Sequence, residues 1–424
     1  MPFTIKPFIV ITLLLGAIFS YFWFDDAVEP QATQWINYYE KPADISHNAF
    51  VYLIGLNKSG MTANEYGQHK YQQYTIQVID NHIDISEKLI YPDPSLFPDA
   101  ETDPLLCDIN DVSCLSYLAD NRAELVGLVS FYQPILKQYR QLASLDNFSF
   151  IDTKLTQSDF VFNTLSHLAS LEILLAIWDD DFTRANNLLV NQIEIERALM
   201  ANAFTVEFKI FPIIQIDSLY TRLIQLLLAK QQASTSELLT VLGPLTSDEF
   251  SFEKVWMKIF TDNLAILKSD NLYQNIRASF PEYNAIPLQL LYKEKMTINS
   301  IFNHHSVNSV VTLLPKATLI SRLTSHADDI DAMQSNIFAR YRNIIGEEFA
   351  AATAPRYLDI SNGLIEFDLK LSLLRLALQS QQQPLSSLLN TPAATNPYID
   401  GQAFIDEQQL CHKGSQDNVC IRLY

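Results

Sequence analysis

The stretch "SHADDID" gathers His326, Asp328, Asp329 and Asp331. An imidazole beside several carboxylates is a donor set for a divalent cation. The same residues also open an apolar-periodic run, "DIDAMQSNIFARYRNIIGEEFAAA". Aspartates are favoured in a first helical turn by capping and by the helix dipole. Capping accounts for the cluster without a metal, so it stands as a weak polar candidate and no metal ligand is assigned. His304 and His305 are adjacent. Consecutive helical side chains diverge by about 100°, which keeps such a pair from sharing one ion. Asp179, Asp180 and Asp181 lack the spaced oxygen donors of a calcium loop. They read as a turn with Asp181 capping the next helix.

Nucleophilic chemistry has no firmer footing. "SFEK" (Ser251 to Lys254) satisfies S-x-x-K, and "SDN" follows from Ser269 to Asn271. The K-T-G element of penicillin-recognising enzymes is absent, and so is G-x-S-x-G. No H-E-x-x-H, Walker A or G-x-G-x-x-G pattern occurs, and no cofactor is implied. Carboxylates are plentiful but form no recognisable pair for glycoside hydrolysis. No catalytic residue is assigned.

The four cysteines form two local pairs, Cys107 with Cys114 and Cys411 with Cys420. Their spacings match neither a C-x-x-C redox motif nor a paired-C-x-x-C zinc site, and only His412 sits beside a cysteine. Two short loop-closing disulfides are expected, which places the chain in an oxidising compartment.

These residues need elements to hold them, and the chain begins with an unusual one. From Phe8 to Phe24 no charge interrupts an apolar and aromatic run. That length reaches the lower edge of what spans a bilayer, roughly 17–25 residues. Lys6 precedes the run; Asp25, Asp26 and Glu29 follow it. Positive charge stays on the cytoplasmic side, so the rest is expected outside. Tyr21 to Phe24 resemble an interfacial aromatic belt. A cleaved signal peptide is the rival, but bulky rings follow the only small-residue stretch, Ala17 to Ser20.

The remaining chain is 48% hydrophobic over the whole sequence, enough for a core, and its 10 glycines are too few for an all-β fold full of tight turns. A net charge of −19 argues against nucleic acid as a partner.

Residues 1–30 are read as the anchor and 31–114 as a mixed α/β region with the first disulfide loop. There "NAFVYLIGLNKSG" ends a short helix at Gly60, and "YTIQVIDNHIDISEKLIY" alternates enough to suggest a strand or hairpin. Residues 115–383 space their apolar positions at threes and fours, which predicts eight or so helices. Pro134 is expected to kink the first, and Asp217 to cap "DSLYTRLIQLLLAKQQ". "HSVNSVVTLLPKATL" reads as a linker around Pro315. Leu165, Leu168, Leu171, Leu175 and Trp178 form a core stripe by their helical spacing. Residues 384–424 read as a turn and a hairpin clipped by Cys411 and Cys420. The fold class is mainly α: an N-terminal transmembrane helix, an irregular multi-helix domain, and a small β-hairpin near each end.

The tail carries a resemblance. A helix, the Pro-x-x-Leu step in "QPLSSLL", then "NPYIDGQAF" is similar to the C-terminal end of a family of membrane-anchored proteobacterial proteins with no known activity. "NAFVYLIGLNKSG", the paired cysteines and "LKQYRQL" resemble stretches nearer that family's N-terminus. The resemblance implies a Gram-negative envelope protein and supplies no catalytic residue. The expectation is a single-pass inner-membrane protein whose periplasmic domain binds another envelope protein, with binding favoured over catalysis. A periplasmic hydrolase with a dispersed site is the alternative, and an immunity or inhibitor protein a third.

Overall fold

The computed structural model describes residues 12–14, 16, 20–41, 44–56, 60–81, 97–98, 102–148, 158–268, 272–279, 281, 287–311, 314–322, 341–353, 358–414 and 417–423. The first helices are α1 (Pro30–Glu40), α2 (Ala49–Ile54), α3 (Ala63–Asn81), α4 (Val112–Asp120), α5 (Arg122–Arg140) and α6 (Ser158–Trp178). Next come α7 (Phe182–Ala201), α8 (Val206–Gln215), α9 (Thr221–Ala229), α10 (Thr235–Val241), α11 (Ser247–Phe250) and α12 (Glu253–Leu267). The series ends with α13 (Leu272–Ser279), α14 (Leu288–Leu291), α15 (Glu294–Val311), α16 (Ile344–Thr353), α17 (Leu358–Gln379) and α18 (Leu385–Leu388). Strands β1 (Phe404–Asp406), β2 (Gln409–Lys413) and β3 (Asn418–Arg422) form an antiparallel sheet in that order, with Cys411 opposite Cys420. The chain folds into two units. One comprises residues 1–41 and 252–359, the other 42–251 and 360–424.

In the first unit, Trp35 of α1 packs edge-on against Phe260 of α12 and Phe302 of α15, with ring centroids 5.7 and 5.0 Å apart. The stretch "NAIPLQLLYKEKMTINSIFN" carries helical apolar spacing. Within it Tyr292 is extended and separates α14 from α15. The break is stabilised from a distance: Asn343, fully buried, accepts the Lys293 amide at 2.7 Å. Gly346 permits this approach, because a Cβ there would lie 2.0 Å from Thr297 Oγ1. Helix α15 runs on to Val311, so the first part of the predicted linker is helical. No proline interrupts it before Pro315, and Ser and Asn are tolerated when packing supplies the stability.

In the second unit, α6 and α7 form a helical hairpin. Asp180 takes a left-handed φ of 57° at the turn, and Asp181 caps α7 by accepting the Arg184 amide at 3.2 Å. Leu165, Leu168 and Leu171 are fully buried as the stripe requires, and Leu175 nearly so; Trp178 at the helix end is half-buried. Phe50 of α2 meets Phe204 and Phe208 at centroid distances of 4.6 and 5.5 Å. Helices α2 and α3 cross with almost no side chain between them. A Cβ on Gly67 would stand 1.9 Å from the Val51 carbonyl oxygen, and one on Gly55 1.8 Å from that of Ala63.

Three sequence expectations need correction here. Tyr74 to Asn81 belong to α3 and are not a strand, so the predicted hairpin near the N-terminal end is replaced by helix as far as Asn81. The continuation, residues 82–91, lies outside the described residues. A capping box fixes the helix start: Thr62 Oγ1 accepts the Glu65 amide while Glu65 accepts the Thr62 amide. The run after Cys114 is two helices, α4 and α5, meeting at Asn121. Asp217 is not a cap. It sits in a π-helical turn, Ile216–Tyr220, that joins α8 to α9, and it pairs with Lys370 at 2.7 Å.

Among the described residues no helix is long and apolar enough to cross a membrane. Of the predicted span, only residues 12–14, 16 and 20–24 are described, and these are helical as far as Trp23.

Candidate functional site

The predicted polar cluster of His326, Asp328, Asp329 and Asp331 lies outside the described residues. Among the described residues, no three or more His, Cys, Asp or Glu side chains are placed to hold a metal. The cysteines pair as expected, Cys107 with Cys114 and Cys411 with Cys420. His304 and His305 are core residues. His305 stacks on Trp256 at 6.0 Å, and burial, with His304 adding to it, pushes its pKa down to about 4. A neutral imidazole packs there as an aromatic.

The acids that matter in the second unit carry no motif. Glu196 of α7 is buried and accepts hydrogen bonds from Ser166 Oγ (2.7 Å), Gln192 Nε2 (3.3 Å) and Tyr220 OH (3.4 Å). Tyr139 OH lies 3.4 Å from Ser166 Oγ and completes the group. The π-helical turn ends on Tyr220, so this irregular turn delivers a phenol to the cluster. Burial raises the Glu196 pKa to about 7 against the pull of those hydrogen bonds, and it raises both phenols. The adjoining cavity, lined by Phe162, Glu196, Leu199, Phe208, Phe211 and Pro212, measures about 10 Å³. That volume matches roughly one water and no organic substrate. The cluster can hold or release a proton and nothing larger.

Glu172 of α6 is equally buried but is answered by Arg140 (2.6 Å) and Arg184 (2.8 Å). Burial raises its pKa, and the two arginines with Gln133 more than offset this, so the net shift is downward. Arg197 spreads its guanidinium over the Glu249 carboxylate and the carbonyls of Val241, Gly243 and Pro244. Each is a completed structural site.

The outer face of α5 is open to solvent. Its inner face buries Leu125, Val129, Leu136 and Tyr139. On the other side Ala123, Gly127, Phe131 and Pro134 are exposed at helical spacing. Phe131 is 75% exposed and Val126, alongside, 44%. Helix α4 adds Val112, 70% exposed, and Tyr117. A cleft of about 310 Å³ lies at the start of α4, lined by Pro104, Asp108, Asp111, Ser113 and Tyr117 and floored by the Cys107–Cys114 disulfide. Its loop is held by capping contacts of Asp103 on the Leu105 amide (2.9 Å) and Asp111 on the Ser113 amide (2.8 Å). The arrangement offers a preformed, partly apolar surface with an acidic margin. Sequence reading overlooked it because Phe131 falls inside an amphipathic run whose large apolar residues at core spacing, Leu125, Val129, Leu136 and Tyr139, are buried.

No family model, curated protein or solved structure matches the chain.

Proposed function

We propose that this is a binding protein, anchored in the inner membrane through residues 8–24 with its folded units in the periplasm, that engages another envelope protein through the outer face of α5 and the adjoining α4. The observation that carries the reading is Phe131. An aromatic ring left three-quarters exposed on a helix face with Val126, Gly127 and Pro134 is an anchor without a pocket. Burying such a ring in a partner is worth roughly 1.5–3 kcal/mol, and a few anchors of this kind carry most of an interface. The uncharged run from Phe8 to Phe24 and the two disulfides support the compartment.

The test is capture from detergent-solubilised membranes with the intact chain and with Phe131→Asp. The expected result is a specific protein partner retained by the first and lost by the second, at an unchanged melting temperature. The same partner retained by both would refute the assigned face. The hydrolase alternative is separated by His326→Ala and Asp328→Asn. These should leave the complex and the cellular phenotype intact, and a well-folded variant that abolished all activity would favour catalysis.

A further inference from the structure

The segment that follows the apolar run is folded into the first unit. Lys293 Nζ donates to the Trp23 carbonyl at 3.1 Å, and Arg342 donates to that of Phe24 at 3.0 Å. The Asp25 carboxylate caps α15, accepting the amides of Lys295 (2.8 Å) and Met296 (3.1 Å). Arg342 also pairs with Asp26 at 2.9 Å and lies 4.3 Å above the Tyr21 ring. Asn299 accepts the Glu29 amide (2.8 Å) and donates to the Ala27 carbonyl (2.9 Å). Asn303 reaches the Glu29 carboxylate at 3.2 Å.

This collar has a physical logic. Helix C-terminal carbonyls lack intrahelical partners and carry partial negative charge, and two cations meet them here. Lys293 and Arg342 are both buried, so two cations fixed in the fold tie down an exposed segment. A flexible tether would be a solvated coil, rich in Gly and Ser. Trp23 to Glu29 contains neither residue. On the outside, the same region displays aromatic rings: Tyr21, Trp23 and Phe24 are exposed, and Tyr341, next to Arg342, is 62% exposed. Amphipathic rings gathered where an apolar run ends match the headgroup layer of a bilayer.

We propose that the first unit is seated directly on the bilayer that holds residues 8–24, with Trp23, Phe24 and Tyr341 in its headgroup layer and the Asp25–Asp26–Lys293–Arg342 collar fixing the unit there. The seat rests on the reading of residues 8–24 as a membrane span. It adds that a residue far along the chain, Tyr341, touches lipid, and that the unit does not swing on a linker.

The experiment uses the full chain in nanodiscs of phosphatidylethanolamine and phosphatidylglycerol. All native cysteines are disulfide-bonded, so Phe24→Cys and Tyr341→Cys each add one thiol for a nitroxide label, and a free water-soluble nitroxide serves as the aqueous reference. Power saturation with oxygen and with a water-soluble nickel chelate then reports the depth of each label. Labels at 24 and 341 should both favour oxygen several-fold over the aqueous reference. A label at 24 in lipid with one at 341 matching the aqueous reference would overturn the seat while the span stood. A label at 24 in water would overturn both. In the Tyr341→Cys background, Arg342→Gln should move the label toward water. Asp26→Asn should do the same with less disturbance of the fold, and an unchanged depth in both folded variants would overturn the collar.

Discussion

Replacing Glu196 by Gln should remove a pH dependence that the native fold carries. The carboxyl titrates at 4.5 in an ordinary setting and at about 7 in the core, because burial penalises its charged form. The displacement, at about 1.4 kcal/mol per unit, is on the order of 3 kcal/mol. The sign follows from which state binds the proton. Between the two values the folded chain keeps a proton that the unfolded chain has lost. Stability from this group is therefore complete below about pH 4.5 and is lost as pH rises through about 7. Above that, the folded state holds a buried carboxylate that Ser166, Gln192 and Tyr220 only partly compensate. The Gln side chain stays neutral and keeps an acceptor for the 2.7 Å bond from Ser166. It also brings an amide donor that must find a partner, at a cost of about 1 kcal/mol. The variant should therefore be more stable than the native protein by roughly 1–2 kcal/mol at pH 8, and equal or slightly weaker at pH 5. Urea unfolding of detergent-solubilised protein, read through hydrogen-exchange protection of α6 and α7 peptides, isolates the second unit. Native and variant curves that stay parallel from pH 5 to pH 8 would refute the argument, because they would mean that Glu196 does not titrate in that interval.

Two further outcomes concern the frame around that core. Mass mapping of non-reduced digests should link Cys107 to Cys114 and Cys411 to Cys420, and replacing either pair by Ser should cost about 2–3 kcal/mol in the chain-entropy model. Four free thiols in exported protein would contradict both the pairing and the compartment. Gly67→Ala should lower stability by about 1–3 kcal/mol through overpacking, since its methyl would press on the Val51 carbonyl from 1.9 Å. A neutral result in thermal melting would mean that the α2–α3 crossing relaxes freely.

Much of the helical frame was legible because it is written in local signals. The stripe of Leu165, Leu168, Leu171 and Leu175, the Asp181 cap and the Cys411–Cys420 hairpin follow from spacing and turn chemistry. Tyr74 to Asn81 misled because β-branched and aromatic residues alternate there, while the evidence for helix sits farther back in the Thr62–Glu65 box. Asp217 looked like a cap because Asp before an apolar run usually is one, and nothing local announces a π-helical turn. Glu172 carries no motif in "SLEILLAIW", and its partners Arg140 and Arg184 come from other helices. Glu196 was invisible. "QIEIERAL" reads as an ordinary charged helix, and its environment is assembled from Tyr139, Ser166 and Tyr220, which no spacing rule connects.

The two units are nested along the chain, and this sets an order of events as the chain is made. The first unit opens with residues up to 41 but closes only with 252–359. The whole of residues 42–251 must emerge before α1 can meet α12 and α15, so Trp35 waits for Phe260 and Phe302. The second unit waits in turn for residues 360–424, because Asp368 on α17 accepts the Leu245 amide at 2.7 Å and the Tyr398 hydroxyl at 2.8 Å. The first unit cannot finish before residues 252–359 emerge, nor the second before residues 360–424. Domains that fold as they emerge usually do so in sequence, but here the last sixty or so residues complete the second unit after the first has its full complement. A chain that stopped before residue 360 would leave the Leu245 amide without Asp368 and Asp217 without Lys370.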